Sequence, residues 1–240
     1  MANGIYIAMS GAIAAQQRLD LVANNVANAS TPGFRQARAQ FSAFVVPTDD
    51  GRPQQKGFVS LTGTAIDDTP GNITASANPL DVAIDGRGYF VVQGPDGPLV
   101  TRAGNFRLGN DGRLVDVLGN PVLGGSGSGG SPIQLRPEGG QPSVGSDGSV
   151  TQDGTIVARL AIVDVDPTRL IPVGDTHLRA AAADLQDLPD ARVQGGAIES
   201  SNVNPVRGLV ELVQLTQDFQ TAHKVMAEYR RLDQKILSSR

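Results

Sequence analysis

Residues 5–34 of the 240-residue chain read IYIAMSGAIAAQQRLDLVANNVANASTPGF. The stretch predicts one α-helix from about Ile5 to Asn28, because apolar residues recur at strict heptad spacing on one face. That stripe comprises Ile5, Ala8, Ala12, Ala15, Leu19, Val22 and Val26. Pro32 and Gly33 end the helix, since the residue before a proline is pushed to extended backbone and a glycine readily adopts a positive φ. Alanines bury little area, so the helix needs a packing partner.

A second helix is predicted at the other end of the chain, from about Pro205 to Ser238. Proline suits the first helical turn, and either Asn202 or Asn204 can cap it. Heptad spacing recurs here at Leu212, Leu215, Phe219, Ala222, Met226, Tyr229 and Ile236. Two such stripes favour terminal helices that pair with each other and also pack against other copies. The alternative is an antiparallel pair docked on the chain's own domain.

The middle of the chain, from about Phe58 to Ala180, alternates short apolar runs with turn residues. Asp-Gly pairs at 111–112, 147–148 and 153–154 stand between such runs and indicate β-hairpins. Residues 155–165 are predicted to form the longest strand, with Ile156, Ala158, Leu160 and Ile162 on one face. The glycine-rich run at 124–130 is a flexible loop, because the Lys-Ser/Thr of a phosphate-binding loop does not follow it. The predicted fold class is therefore α+β, with helical ends and an all-β centre.

Composition excludes several function classes. The chain has no cysteine, two histidines and a net charge of −4. Disulfide scaffolds, thiolate metal sites and multi-histidine sites are excluded, and no basic block exists to bind nucleic acid. We expect no cofactor and no metal.

No group of residues supports an enzyme. His177 is expected to be packed or at the surface, and His223 to lie on a solvated helix face. Asp81 and Asp85 are expected to belong to turns. No apolar run reaches the roughly 20 residues of a membrane span. We also expect no cleaved signal peptide, because no basic residue precedes the apolar start.

Three further stretches act as motifs in order along the chain. They are ANNVANASTPGF at 23–34, NPLDVAIDGRGYF at 78–90 with TRAGNF at 101–106 and DGRL at 111–114, and GAIESSNVNP at 196–205. Together they resemble the rod, hook and hook-associated axial proteins of the bacterial flagellum. The opening IYIAMSG at 5–11 is most similar to proximal-rod members, with distal-rod members as the alternative. The chain departs from the family at Arg207, where a glutamate is common.

The resemblance implies an inner coiled-coil domain, residues 1–34 and 199–240, and an outer β-rich domain, residues 35–198. It implies a structural component of the basal-body rod that polymerises into a helical drive shaft crossing the periplasm and transmits motor torque. The implied partners are other copies, neighbouring rod proteins and the flagellar type III export apparatus. The expected assembly interface comprises Ile5, Ala8, Ala12, Ala15, Leu19, Val22, Asn25, Val26, Asn28, Leu212, Leu215, Phe219, Ala222, Met226, Tyr229 and Ile236.

An alternative from a different class is a periplasmic β-domain that binds a ligand, such as cell-wall glycan, and oligomerises through its helical ends. Such a module should present clustered aromatic and polar side chains. The aromatic residues of the hairpin region are Tyr89, Phe90 and Phe106, and their strand positions are typical of core. An enzyme, such as a cell-wall hydrolase, is the weakest alternative, because it requires an acid–base pair that the sequence does not reveal.

Overall fold

The computed structural model describes residues 2–46, 56–125, 129–174 and 176–238. The chain divides into two compact units. The first, here called the helical unit, comprises Met1–Ala27, Ala37–Ala65 and Asn204–Arg240. The second, the β unit, comprises Asn28–Gln36 and Ile66–Val203.

The helical unit contains helices α1 (Ala2–Ala27) and α2 (Pro205–Ser238), with strands β1 (Ala37–Val46) and β2 (Lys56–Ile66) paired to each other. Both terminal helices are confirmed. Asn204 caps α2, because its Oδ1 accepts a hydrogen bond from the Arg207 N–H at 3.0 Å. The sequence pattern did not predict β1 and β2 as a pair of long strands.

The β unit is built from many short strands. They are β3 (Ile73–Ala75), β4 (Val82–Asp85), β5 (Tyr89–Gly94), β6 (Gly97–Thr101), β7 (Arg107–Leu108), β8 (Leu114–Val115), β9 (Leu123–Gly124), β10 (Ser131–Pro132), β11 (Ser143–Val144), β12 (Ser149–Gln152), β13 (Thr155–Arg159), β14 (Ile162–Asp164), β15 (Ile171–Pro172), β16 (His177–Arg179), β17 (Gln186–Asp187), β18 (Arg192–Gly195) and β19 (Ala197–Glu199). The largest sheet is antiparallel and has the order β15-β16-β6-β5-β14-β17. A three-stranded sheet has the order β11-β12-β13.

The core of the β unit is apolar and lies under these sheets. Phe90 and Phe106 meet edge to face with ring centroids 5.2 Å apart, a favoured aromatic geometry. Both rings are buried, together with Ile84, Leu114 and other aliphatic side chains. Turn chemistry was predicted well. In the β12–β13 hairpin, Asp153 and Gly154 have φ values of 53° and 74°, as a two-residue primed turn requires.

The prediction of one long strand over residues 155–165 is wrong. The chain changes partners between β13 and β14, because the Leu160 N–H bonds to the Gly148 carbonyl and the Ala161 N–H bonds to the Leu123 carbonyl. A register shift in β12–β13 opposes Thr151 to Ile156 and Val150 to Ala158. An extra residue reverses the side-chain alternation. Ile156 is therefore 67% exposed, whereas Leu160 and Ile162 are buried.

The terminal helices and the β-rich centre thus confirm the coarse fold class. A coiled-coil geometry and the extents of inner and outer domains stay predictions. Within the described residues, neither helix is apolar enough over its length to cross a bilayer.

Candidate assembly surface

In the helical unit, α1 and α2 pack against each other. They run antiparallel, because Val26 near the end of α1 lies against Gly208 at the start of α2, and Arg18 earlier in α1 lies 2.6 Å from Glu211. A Cβ on Gly208 would come within 2.4 Å of the Val26 Cγ2 atom. The glycine therefore permits the helices to approach closely.

The predicted stripe residues whose side chains are described are all shielded, wholly or in part, within this single chain. Ala12, Val22 and Leu215 are buried. The half-buried members are Ala15, Leu19, Val26, Leu212, Phe219, Ala222 and Met226. Ile5, Ala8, Tyr229 and Ile236 lie in the helices, but their side chains fall outside the described residues. A second role for this stripe, in contact with neighbouring subunits, stays a prediction.

Helix α2 carries a second apolar stripe, which the sequence analysis missed. The exposed fractions of its members lie between 54% and 71% for Val206, Leu209, Val210 and Val213. Their spacing of three, four and seven residues places them on one helix face. At about 100° per residue, this outer stripe lies opposite the face that carries Leu212 and Leu215. Helix α1 adds Met9 and Ile13, which are also exposed.

Two asparagines of the predicted interface form side-chain hydrogen bonds within the chain. The Asn25 Nδ2 donates to the Ala37 carbonyl at 2.8 Å, and the Asn25 Oδ1 accepts from the Ala37 N–H at 3.0 Å. The pair of bonds fastens the end of α1 to the start of β1. Asn28 is also buried, and its Oδ1 accepts from the Thr31 hydroxyl at 3.0 Å.

The β unit contains a buried cluster of charges, which the sequence analysis did not predict. The Glu199 carboxylate lies 2.9 Å from Arg35 Nη2 and 3.3 Å from Arg102 Nη1, and all three side chains are at most 2% exposed. Its Oε1 also accepts from the Gly71 N–H at 2.9 Å. Arg35 and Arg102 further donate to the carbonyls of residues 69 and 86. We call these three residues the ion cluster.

Aromatic and acidic neighbours complete the surroundings of the ion cluster. The Arg102 guanidinium lies over the Tyr89 ring, 5.2 Å from its centroid. The Tyr89 hydroxyl donates to Asp68 Oδ1 at 2.6 Å. Burial, and then the bond to Asp68, raise the pKa of Tyr89. Burial, and then the charge of Arg35, lower the pKa of Arg102. Two cations thus share one buried carboxylate.

Hydrogen bonds beside the ion cluster connect residues 28–36 with the segment that precedes α2. The Gly33 N–H bonds to the Glu199 carbonyl at 2.8 Å, and the Gln36 N–H bonds to Asn202 Oδ1 at 2.7 Å. Gly33 has φ of 69°, and a Cβ there would lie 2.2 Å from the Ala103 backbone nitrogen. Residues 28–36, which we call the locked segment, are therefore held by these bonds against the segment that leads into α2.

The titratable residues considered in the sequence analysis lie in surroundings typical of residues that stabilise the fold or face solvent. His177 is packed, and its Nε2 lies 2.7 Å from Asp116 Oδ2 with both side chains buried. His223 is exposed on α2 beside the Phe219 ring. Asp81 accepts bonds from Ser76 and Asn78 in a turn, and Asp85 is exposed at the end of β4. Of the glycine-rich run, residues 126–128 lie outside the described residues.

Two features were missed for different reasons. The outer stripe could have been found, because its i, i+3, i+4, i+7 spacing is as regular as that of the stripe that was predicted. The ion cluster had only a weak signal, namely that Arg35 directly follows the first motif and Glu199 lies inside the last. Arg207, which stands where the family often has glutamate, is exposed at the start of α2.

Three family models match the chain in order. They are described as flagella basal body rod protein at residues 5–35, flagellar hook protein FlgE/F/G D1 domain at 83–156, and flagellar basal body rod FlgEFG protein C-terminal at 194–239. The matches coincide with α1 and the locked segment, the core of the β unit, and the entry to α2 with its helix.

Relatives that match almost the whole chain are also flagellar rod proteins. A flagellar basal-body rod protein FlgF of Mesorhizobium japonicum is 33% identical over 95% of this chain and 93% of its own length. A FlgF of Caulobacter vibrioides is 35% identical over 94% of this chain and 93% of its own length. A flagellar basal-body rod protein FlgG of Bacillus subtilis is 30% identical, with 99% of each chain covered.

Proposed function

This chain belongs to the family of flagellar basal-body rod proteins, and we propose that it is a structural component of the rod that polymerises through its helical unit. It resides in the basal body. Its partners are other rod proteins, which include further copies of itself. FlgF relatives match at somewhat higher identity than the FlgG relative, so the FlgG alternative is not favoured.

The outer stripe of α2 carries this proposal. Four large aliphatic side chains stand in water on one helix face while the opposite face packs on α1. Contiguous exposed apolar patches of this kind mark interaction sites on soluble proteins. Fully burying such a side chain contributes about 1.5–3 kcal/mol. Covering the stripe with helices of neighbouring subunits, in coiled-coil fashion, would supply a strong driving force for assembly.

The ion cluster supports a mechanical role for the β unit. A shaft that transmits torque must not let its segments peel apart under force. Here the segment after α1 and the segment before α2 meet at one buried carboxylate, Glu199. Force applied through either helix is therefore passed to the same buried ion pairs at Glu199.

This function requires no chemical step, so we propose that the chain is not an enzyme. The relatives are named as rod proteins, and these names give no support to the glycan-binding or hydrolase alternatives. Delivery through the flagellar type III export apparatus is the route we propose, since that apparatus serves the axial proteins that the chain resembles.

The proposal is tested in a motile strain whose copy of this gene is deleted. We expect the wild-type chain to restore swimming and to appear in isolated basal bodies by immunoblot. Val213→Asp places a charge in the outer stripe and should abolish both. Gln214→Asp, one position along the same helix on an exposed polar site, should retain them. Absence of the wild-type chain from basal bodies would refute the function.

A further inference from the structure

The turn at residues 116–120 presents two large apolar side chains to solvent. Leu118 is 70% exposed and Val117 is 46% exposed, and they stand side by side at the tip of the turn. We call this pair the knob. An exposed leucine alone is ordinary, but two adjacent apolar side chains at the tip of a turn can enter a concave surface.

Buried polar contacts hold the knob in a fixed geometry. Asp116 Oδ1 accepts from the N–H groups of Leu118 and Asn120 at 2.9 and 2.8 Å. Asp116 Oδ2 accepts from Asn120 Nδ2 at 2.9 Å and lies 2.7 Å from His177 Nε2. Arg107 adds a bond to the Val117 carbonyl. A knob fixed before binding loses little entropy when a partner covers it.

A cleft of about 250 Å³ opens elsewhere on the same β unit. Its apolar lining includes Leu160, Ile162, Leu188, Pro189 and Ala191. Arg159 braces one wall, because its Nε donates to the Asp147 carbonyl at 2.7 Å and its Nη2 to the Pro189 carbonyl at 2.8 Å. A cavity of about 150 Å³ already holds a benzene-sized group, so the cleft can receive two aliphatic side chains.

The knob and the cleft lie near opposite edges of the six-stranded sheet. Asp116, which holds the knob, bonds to His177 of β16, next to one edge strand, whereas Ile162 of β14 and Leu188 beside β17 belong to the other edge. Three strand spacings of about 4.8 Å separate β16 from β14. A projection on one side and a recess on the other cannot satisfy each other within one chain.

We propose that the knob of one copy inserts into the cleft of the next copy. A contact between different surfaces of identical chains is heterologous, and it continues as an open helical array where the rotation does not close. Charge favours the same pairing, because the Arg107 cation stands beside the knob, whereas the cleft and its rim carry a small acidic excess. Three aspartates, at 147, 187 and 190, line them, against two arginines, at 159 and 192. This inference rests on the proposed function, since it names a contact between copies within the rod.

Disulfide cross-linking tests the contact directly, because the chain contains no cysteine. Two differently tagged full-length chains, one Leu118→Cys and the other Pro189→Cys, are co-expressed in the deletion strain, and basal bodies are isolated and oxidised. We expect a cross-linked dimer that carries both tags. The matched control pairs Leu118→Cys with Ile156→Cys, since Ile156 on β13 is exposed, as Pro189 is, and this pair should give at least tenfold less product.

Each outcome decides the matter. A 118–189 dimer well above the control supports the knob–cleft contact. Chains present in basal bodies without that dimer overturn the contact and leave the proposed function intact, as do cross-links to a different protein. Absence of the wild-type chain from basal bodies overturns the proposed function, and the contact falls with it. As a second measurement, Leu118→Asp should lower the amount of chain in basal bodies without changing the circular dichroism of the purified protein.

Discussion

The Arg35 guanidinium lies 2.9 Å from the Glu199 carboxylate, although the two residues stand near opposite ends of the chain. Arg102 completes the group from the middle of the β unit. A buried ion pair contributes less net stability than its distances suggest, because both charges lose their hydration. Removing one partner is far more damaging, since the other charge stays buried and uncompensated.

Glu199→Gln is therefore expected to destabilise the β unit strongly. It leaves two buried guanidinium groups without their counter-charge, and the free energy of unfolding should fall by about 3–5 kcal/mol. Urea unfolding of the full chain, followed by circular dichroism, measures the change. Asp111→Asn removes the partner of Arg113 in an exposed pair and should cost at most about 1 kcal/mol. Equal effects of the two substitutions would show that the ion cluster is not a buried network.

Gly33→Ala should be more harmful than its backbone angle alone explains. The new Cβ would meet the Ala103 backbone at 2.2 Å, so the locked segment must move away. Gly154→Ala is the matched control, because its φ of 74° is close to the 69° of Gly33 and its Cβ would meet nothing within 4 Å. We expect about 1–2 kcal/mol for the control, from the left-handed backbone alone, and a clearly larger loss for Gly33→Ala. Thermal melts of both variants provide the comparison.

The two faces of α2 should respond differently to truncation. Leu215 is buried against α1, so Leu215→Ala is expected to lower the stability of the helical unit by about 2–5 kcal/mol. Val213 is exposed on the outer stripe, so Val213→Ala should change the stability of the isolated chain by less than about 0.5 kcal/mol. Helical circular dichroism during heating reports both. A large loss for Val213→Ala would mean that the outer stripe is already covered within the chain.

Acid should weaken the support of the knob. Burial raises the pKa of Asp116, but hydrogen bonds from His177 and Asn120 outweigh it, and the net pKa lies below the ordinary 3.8. A lowered carboxyl pKa contributes stability that is present above pH 3.8 and is lost as the pH falls through the value in the folded state. Asp116→Asn should therefore reduce stability at pH 7 by about 1–3 kcal/mol, with a smaller difference from wild type at pH 3.

Urea unfolding at pH 7, 5 and 3 checks the Asp116 prediction. The difference between Asp116→Asn and wild type should be smaller at pH 3 than at pH 7. Asp111→Asn, in an exposed ion pair, again serves as the control. A difference that does not change with pH would show that the charge of Asp116 adds nothing to the fold.

The elements that the sequence revealed are those that local pattern determines. Heptad spacing predicted both terminal helices, and the stripe ending near Val26 does pack inside the chain. Asp153-Gly154 predicted its hairpin because that turn requires two positive φ values, which these residue types tolerate. Periodicity failed at Ile156, because one extra residue in the β12–β13 ladder reverses the side-chain direction.

The features that the sequence did not reveal depend on tertiary proximity. Nothing local to Arg35, Arg102 or Glu199 indicates that the three will share one buried site, since each is flanked by turns or short strands. The knob was overlooked for a related reason. The exposure of Leu118 follows from the way Asp116 caps its turn, which alternation of apolar residues does not encode.

The position of Glu199 has a consequence for the order in which the protein can acquire its final form. A ribosome releases the two arginines long before it adds the carboxylate that neutralises them. Until residue 199 is available, closing the β unit would place two cations side by side away from water, which is strongly unfavourable. The β unit therefore cannot close favourably in a nascent chain until residue 199 has been added, after nearly all of the other residues of this unit.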